Sequence, residues 1–467
     1  MRRNAQCPVP SAQCPVKEVF AALAVIVGLG LLGHSPALAD ETRPHNIILL
    51  IGDGMGLSQI TLARLVKGAP LAMDGVKTIG LVETASLTGA VTDSSAAITA
   101  MASGVKTKNK MLGVDADGKP LRPFTDDLAD QGWRIGLVTT TRVTHATPGG
   151  FYAHATERSD EKVVAQQLID SRVTVAFGGG LGLFPGPKLG ALIDKKFRII
   201  RDRSGLQIAA NVKPGQRFIG LFAESHMAYE LDRPDSQPGL AEMTVRAIEL
   251  LRAVEDTSFF LMVEGGRIDH AGHAHDAASS ARETIAFDDA CAAALKFAAG
   301  DGHTLVLITA DHPTGGLAIS EKIDIEGLRR TRATGIKMLA DSKKDAASLR
   351  AIVRERTGVE LTEDEATEAA ADRFDRYEKA GYLSDTLAAR RGVYFAFPLE
   401  AQGQMDSTEG HEGTMVPIYS TGPGAERFTG TFDNTEIAKR VRELTAPPVG
   451  AAMEKKTVPR EQGTFVK

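Results

Sequence analysis

Four short segments carry carboxylates and imidazoles in combinations that bind metal ions. They are Gly52-Asp53-Gly54, the run Glu264 to His273 with Asp269 and His270 inside it, Asp311-His312, and Gly410-His411-Glu412. Carboxylates mixed with imidazoles suit zinc, and an all-oxygen set suits magnesium. A fifth segment, Asp93-Ser94, stands where small, helix-tolerant residues begin. At a helix N-terminus, free amides and the dipole favour a phosphate or a serine alkoxide. A sixth runs from Thr139 to Arg158 and holds His145 and Thr147. A guanidinium there could grip two phosphate oxygens through its fork. Taken singly, each has an ordinary alternative: a polar turn, an N-cap serine, a surface ion pair. Four acidic and histidine segments at strand ends are harder to explain that way.

The elements that would position these residues are legible as apolar runs. Asn46 to Ile51, Ile135 to Val138, Val173 to Phe177, Phe218 to Phe222, Phe259 to Val263 and Thr304 to Thr309 read as strands covered on both faces. Ser58 to Val66, Asp160 to Ile169, Gly239 to Val254 and Ala277 to Ala298 read as helices. The alternation predicts an α/β fold, a three-layer α/β/α sandwich with a large, mostly parallel central sheet. In such sheets ligands collect outside the carboxyl ends of the strands, where the first four segments fall. The charged stretch Asp324 to Ala389 breaks the rhythm, and Thr362 with Glu365 forms a capping-box pattern there. It reads equally as a helical insertion or lid near the site and as a solvated surface excursion.

Bulk properties narrow the class. The formal charge of -5 over 467 residues gives no basic field that would favour nucleic acid. Arg2, Arg3 and Lys17, the apolar run Val19 to Gly33 and the small-residue pattern Ala37-Leu38-Ala39 have the layout of a secretory signal peptide. We therefore expect a leader over residues 1–39, a catalytic domain over 40–467, and export to the periplasm or medium without a membrane anchor. Cys7 and Cys14 fall in the leader, so Cys291 remains alone and no intramolecular disulfide can form. The fold must then rest on a large core, bound metals or a partner subunit.

Together, Asp53, Asp93-Ser94, Thr147, Arg158, Glu264, Asp269, His273, Asp311-His312 and His411, in this chain order, resemble the alkaline phosphatase family. The resemblance runs from about Asn46 to about Lys439, includes Gly178-Gly179-Gly180, and is weakest from Asp324 to Ala389. It implies hydrolysis of phosphate monoesters through a phosphoseryl intermediate, with Ser94 as nucleophile. It implies two zinc ions and one magnesium per chain. Asp269, His273 and His411 match one zinc site, and Asp53, Ser94, Asp311 and His312 the other. Asp53, Thr147 and Glu264 match the magnesium site. Arg158 would hold the phosphoryl oxygens, with Asp93 orienting it, and a homodimer is the expected assembly.

The chain departs from the best-known bacterial pattern at His145 and His270, where that pattern has an aspartate and a lysine. Imidazoles there favour zinc or cobalt over magnesium at the third site. Two other readings compete. A phosphodiesterase or sulfatase would share the fold, but no sulfatase motif is evident, and diesterases commonly use threonine and lack the third-metal trio. A binding protein without turnover would not need the nucleophile and the arginine together.

Overall fold

Strands β1 (Asn46–Gly52), β7 (Phe259–Glu264) and β8 (Thr304–Ala310) are buried at every position, as their unbroken apolar sequences require. They form the middle of the sheet in a computed structural model of the chain. The structure describes residues 43–447 except 211, 214, 255–256, 344, 372–380, 397–407 and 409. The expected leader lies outside the described residues.

The remaining strands are β2 (Thr78–Glu83), β3 (Arg134–Arg142), β4 (Val173–Gly179), β5 (Phe197–Ile200), β6 (Arg217–Leu221), β9 (Leu317–Ile319), β10 (Val393–Phe395), β11 (Val416–Thr421) and β12 (Gly430–Asp433). Ten of them make one sheet in the order β12-β2-β11-β8-β1-β7-β3-β4-β6-β5. Every pairing in it is parallel except those of β11 with β8 and β2. Helices Leu57–Lys67, Leu240–Arg252 and Ala277–Asp301 pack side by side, and helices Ser94–Ser103, Phe124–Asp130 and Thr435–Thr445 form a second group. No helix among the described residues is long and apolar enough to cross a membrane. Cys291 is a buried free thiol.

The irregular stretch is a run of helices, beginning with Ile325–Arg330 and ending with Gly381–Arg390. The expected capping box is present at Thr362 and Glu365. Antiparallel pairing of β9 with β10 closes the run at both ends. It builds a small core of its own around Met338, Leu349, Val353 and Leu383. Asp276 anchors it to the sandwich by accepting a hydrogen bond from the Gly335 amide, 3.1 Å.

Candidate active site

Strand register assembles the site. Ile51 pairs with Glu264, and Gly52 with Ala310, so Asp53, Glu264 and Asp311 emerge at one edge. On the far side of β7, Thr139 of β3 is level with Glu264, and the turn that follows carries His145 and Thr147. His411 reaches the same edge because β11 runs against the other strands and enters where they leave. Two backbone hydrogen bonds then zip its segment to the one after β8: Gly315 donates to Gly410 (2.9 Å) and Glu412 to Pro313 (3.0 Å). The His312 and His411 rings stack with centroids 3.6 Å apart. Gly54 makes the close approach possible: at φ +70° it presses on Asp269, and a Cβ there would sit 2.7 Å from Asp269 Cα.

Ser94 is the first residue of helix Ser94–Ser103, and the N-cap is Asp93. The serine hydroxyl is therefore not spent on capping and stands 3.3 Å from His312 Nε2. Asp93 accepts from the Ala96 amide (2.9 Å), Ser95 Oγ (2.6 Å), the Lys110 amide (3.0 Å) and Arg158 Nη1 (3.3 Å). Burial opposes its ionisation, but Arg158 and these donors outweigh burial and hold its carboxyl below the usual range.

The charge balance of the site calls for cations. Asp53, Glu264 and Asp311 are fully buried. Both Asp53 oxygens, Thr147 Oγ1, Glu264 Oε1 and Asp311 Oδ2 have no hydrogen-bond partner among the described residues. Burial, reinforced by mutual repulsion, raises Asp53 well above the carboxylate range and pushes Glu264 and Asp311 up to about 7. Buried carboxylates in this state are costly unless a positive ion joins them. The imidazoles are set up as neutral ligands. Burial lowers His312 to about 4 and His411 well below its ordinary value. His411 Nδ1 donates to Thr92 O at 2.9 Å, which leaves Nε2 as a free lone pair. That Nε2 faces His273 Nε2 at 3.1 Å and Asp269 Oδ1 at 3.6 Å. His312 Nε2 lies 3.2 Å from Asp311 Oδ2 and 3.7 Å from Asp53 Oδ1. Ligand atoms of Asp269, His273 and His411 fall within 4.8 Å of one another, as do those of Asp53, Asp269 and His312, and of Asp53, His145 and Glu264.

All the residues expected from sequence thus converge, with one refinement. His145 joins the carboxylates, whereas His270 groups with His145 and with His226, one ring further out. Several contributors had no assigned part. Thr139 donates to Glu264, and Thr314 Oγ1 donates to Asp269 Oδ1 at 2.5 Å. His226, Arg142 and Arg267 line the cleft of about 790 Å³ above Ser94. Thr139 could have been noticed as the polar end of an apolar strand. His226 has no local signal, being a lone histidine in a loop.

The fold and site define an α/β/α enzyme with a serine set among buried, cation-demanding ligands at the strand ends. The sequence model of the alkaline phosphatase family matches residues 44–446. Alkaline phosphatase 3 of Bacillus subtilis is 33% identical over 86% of this chain and 88% of its own. The solved alkaline phosphatase of Thermus thermophilus is 28% identical, covers 89% of this chain and 95% of its own, and has a TM-score of 0.77. That of the Antarctic bacterium TAB5 is 30% identical, covers 86% and 98%, and has a TM-score of 0.65. A histidine-to-aspartate variant of the TAB5 enzyme has been solved with magnesium bound in its M3 site. The chain belongs to the alkaline phosphatase family, whose members are metal-dependent. It is a phosphoric monoester hydrolase.

Proposed function

We propose that the enzyme transfers the phosphoryl group to Ser94 and then to water, in a site that holds two zinc ions and one magnesium. The observation that carries this is Ser94 Oγ at 3.3 Å from His312 Nε2, at the base of a cleft that Arg158 also lines. Asp269, His273 and His411 would hold one zinc, and Asp53, Asp311 and His312 the other, with Ser94 completing it. Asp53, Thr147 and Glu264 would hold the magnesium. Bound zinc would supply Lewis acidity at the serine and leaving-group oxygens. Ser94 forms the new P–O bond as the ester P–O bond breaks. Arg158, fixed by Asp93, faces the equatorial oxygens and stabilises their charge. Export behind the leader of residues 1–39, a homodimer, and a bordering role for the helical insertion through Ile336 in the cleft wall belong to the same reading.

Covalent trapping tests it directly: an acid quench during turnover should leave phosphate on the peptide that contains Ser94. Phosphate on another residue, or none under burst conditions, would reject the nucleophile.

Arg158→Ala is expected to lower kcat/KM for monoesters by about 100-fold, since a charge-assisted grip contributes roughly 1.5–3 kcal/mol. Diesters present one fewer charged oxygen and should lose much less. Equal losses on both would show that Arg158 does not read the dianion.

His145 sits where an imidazole displaces oxygen from the third site, and Arg158 Nη2 donates to its Nε2 at 3.1 Å. Magnesium prefers oxygen and water around it. After dialysis the parent enzyme should be activated by added magnesium or cobalt. His145→Asp should move half-activation by magnesium to roughly tenfold lower concentration, about 1.4 kcal/mol of binding. The magnesium-bound aspartate variant of the TAB5 enzyme supports this direction. Superimposable activation curves for the two forms would refute it.

A further inference from the structure

Beyond Arg158 and His145, the cleft above Ser94 holds side chains that the reaction does not use, Arg142, His226, Arg267 and His270. Three imidazoles, of His145, His226 and His270, pack against one another, with ring centroids 5.3 Å apart for His145 and His226 and 4.5 Å for His226 and His270. Three guanidiniums point into them. Arg158 Nη2 donates to His145 Nε2 at 3.1 Å, Arg142 Nη1 to His226 Nε2, and Arg267 Nη1 to His270 Nδ1. A ring nitrogen that accepts from a guanidinium carries no proton, so each imidazole is neutral. Ring nitrogens this close could suggest a further metal ion. This trio has no carboxylate, unlike the group of Asp53, His145 and Glu264, so three guanidinium charges directed at it oppose a divalent cation among the three rings and favour an anion.

The three arginines are not equivalent. Arg142 forms a two-oxygen ion pair with Glu161, at 3.0 and 2.8 Å from its Nε, and Arg158 is paired with Asp93. Arg267 has no carboxylate within ion-pair distance among the described residues. Its Cζ lies over the buried Tyr229 ring, 3.7 Å from the centroid, and its buried Nε has no hydrogen-bond partner among the described residues. The buried Nδ1 of His226 likewise has no partner among the described residues. Once Arg142 takes Nε2, that Nδ1 is a proton donor. A half-desolvated guanidinium without a counter-ion is costly unless a ligand supplies one.

We propose that Arg267, with Arg142 and His226 beside it, forms a second anion subsite in the cleft. The preferred phosphomonoesters then carry a second anionic group a few bonds beyond the ester oxygen. Two rings, those of His145 and His270 with centroids 5.7 Å apart, lie between Arg158 and Arg267 and set that span. This proposal names the substrate class and rests on the phosphatase reading of Ser94.

The experiment uses the full metal-loaded enzyme and three substrates: ethyl phosphate, phosphoglycolate and ethane-1,2-diyl bisphosphate. The readout is kcat/KM for each anionic substrate divided by that for ethyl phosphate. The ratio is taken within each protein, so that losses common to all substrates cancel, and the bisphosphate value is halved for its two equivalent ends. The parent enzyme should favour a second anion by roughly ten- to hundredfold, the range of one charge-assisted hydrogen-bond set. R267Q should bring the ratio near one, and R267K should retain part of it because it keeps the charge but loses the fork. If R267Q fails to fold, R267K and the decline of the parent's ratio with added salt carry the test. A gain with the bisphosphate alone narrows the class to phosphate, and a gain with both substrates assigns a general anion site. Turnover of ethyl phosphate with ratios near one in the parent, or a ratio unchanged in R267Q, overturns the subsite while leaving the phosphatase reading intact. Failure of the parent to turn over ethyl phosphate at all would count against that reading instead.

Discussion

Replacing Ser94 with alanine is expected to lower kcat/KM for a chromogenic phosphomonoester by roughly three orders of magnitude or more, about 4 kcal/mol of transition-state stabilisation. The loss follows from removing the atom that forms the covalent bond. Binding of inorganic phosphate should persist, because Arg158 and its partner Asp93 are untouched. The fold should also survive. Asp93, not Ser94, caps the helix, and the hydroxyl's hydrogen bond is to His312 rather than to the backbone. Thermal melting of the variant therefore serves as the control for the kinetic result. Near-full turnover in a folded Ser94→Ala protein would exclude Ser94 as nucleophile.

Stripping the enzyme with a chelator should bring activity to background and lower Tm, and zinc with magnesium should restore both. Ligands from β1, β7, β8 and the segment before β11 meet only here, so ions bound among them tie the sheet centre to the C-terminal part of the chain. An ion present at 100 times its Kd adds about 2.7 kcal/mol, several degrees of Tm in a chain of this size. The effect carries a pH signature. In the metal-free protein Glu264 and Asp311 are raised from ordinary carboxylate values to about 7. The folded state then holds protons that the unfolded state has released, so the contribution of these two carboxyls to stability falls as pH rises from about 4 to about 7 and levels off above. The lowered imidazoles of His312 and His411 act in the opposite direction, but they are neutral in stripped and loaded enzyme alike and cancel in the difference between the two. Bound ions replace those protons. The Tm difference between loaded and stripped enzyme should widen across that window. A chelated enzyme with full activity, or a Tm gap that shrinks from pH 5 to 8, would contradict the metal assignment.

Much of the sheet was readable from composition alone, since strands buried on both faces must be continuously apolar. All six runs taken as strands lie within one residue of observed strands or inside them. β2 has no continuous apolar run, because it alternates, TIGLVE, with Ile79 and Leu81 facing out. β11 carries Pro417, which demotes a run to edge or loop. Pro417 is tolerated because β8 pairs only with Tyr419 to Thr421, leaving the proline outside that ladder, and the strand's antiparallel direction carries His411 to the site.

The chemistry was legible because metal ligation and nucleophilic attack demand particular side chains. Asp53, Glu264, Asp269, His273, Asp311 and His312 declare themselves by type and by their place after apolar runs, Ser94 by the small residues that follow it, and His411 by type alone. Sequence alone determined the α/β class, the strand ends as the active edge and the family. Tertiary structure decided what depends on distances between remote segments. It made Asp93 rather than Ser94 the cap, put His145 with the carboxylates and His270 one ring away, and stacked His312 on His411. It also gathered Arg142, His226 and Arg267 around one cleft. The reason is physical: side-chain type and burial period are local properties of a chain, whereas charge compensation depends on which distant groups the packed core brings within a few ångströms.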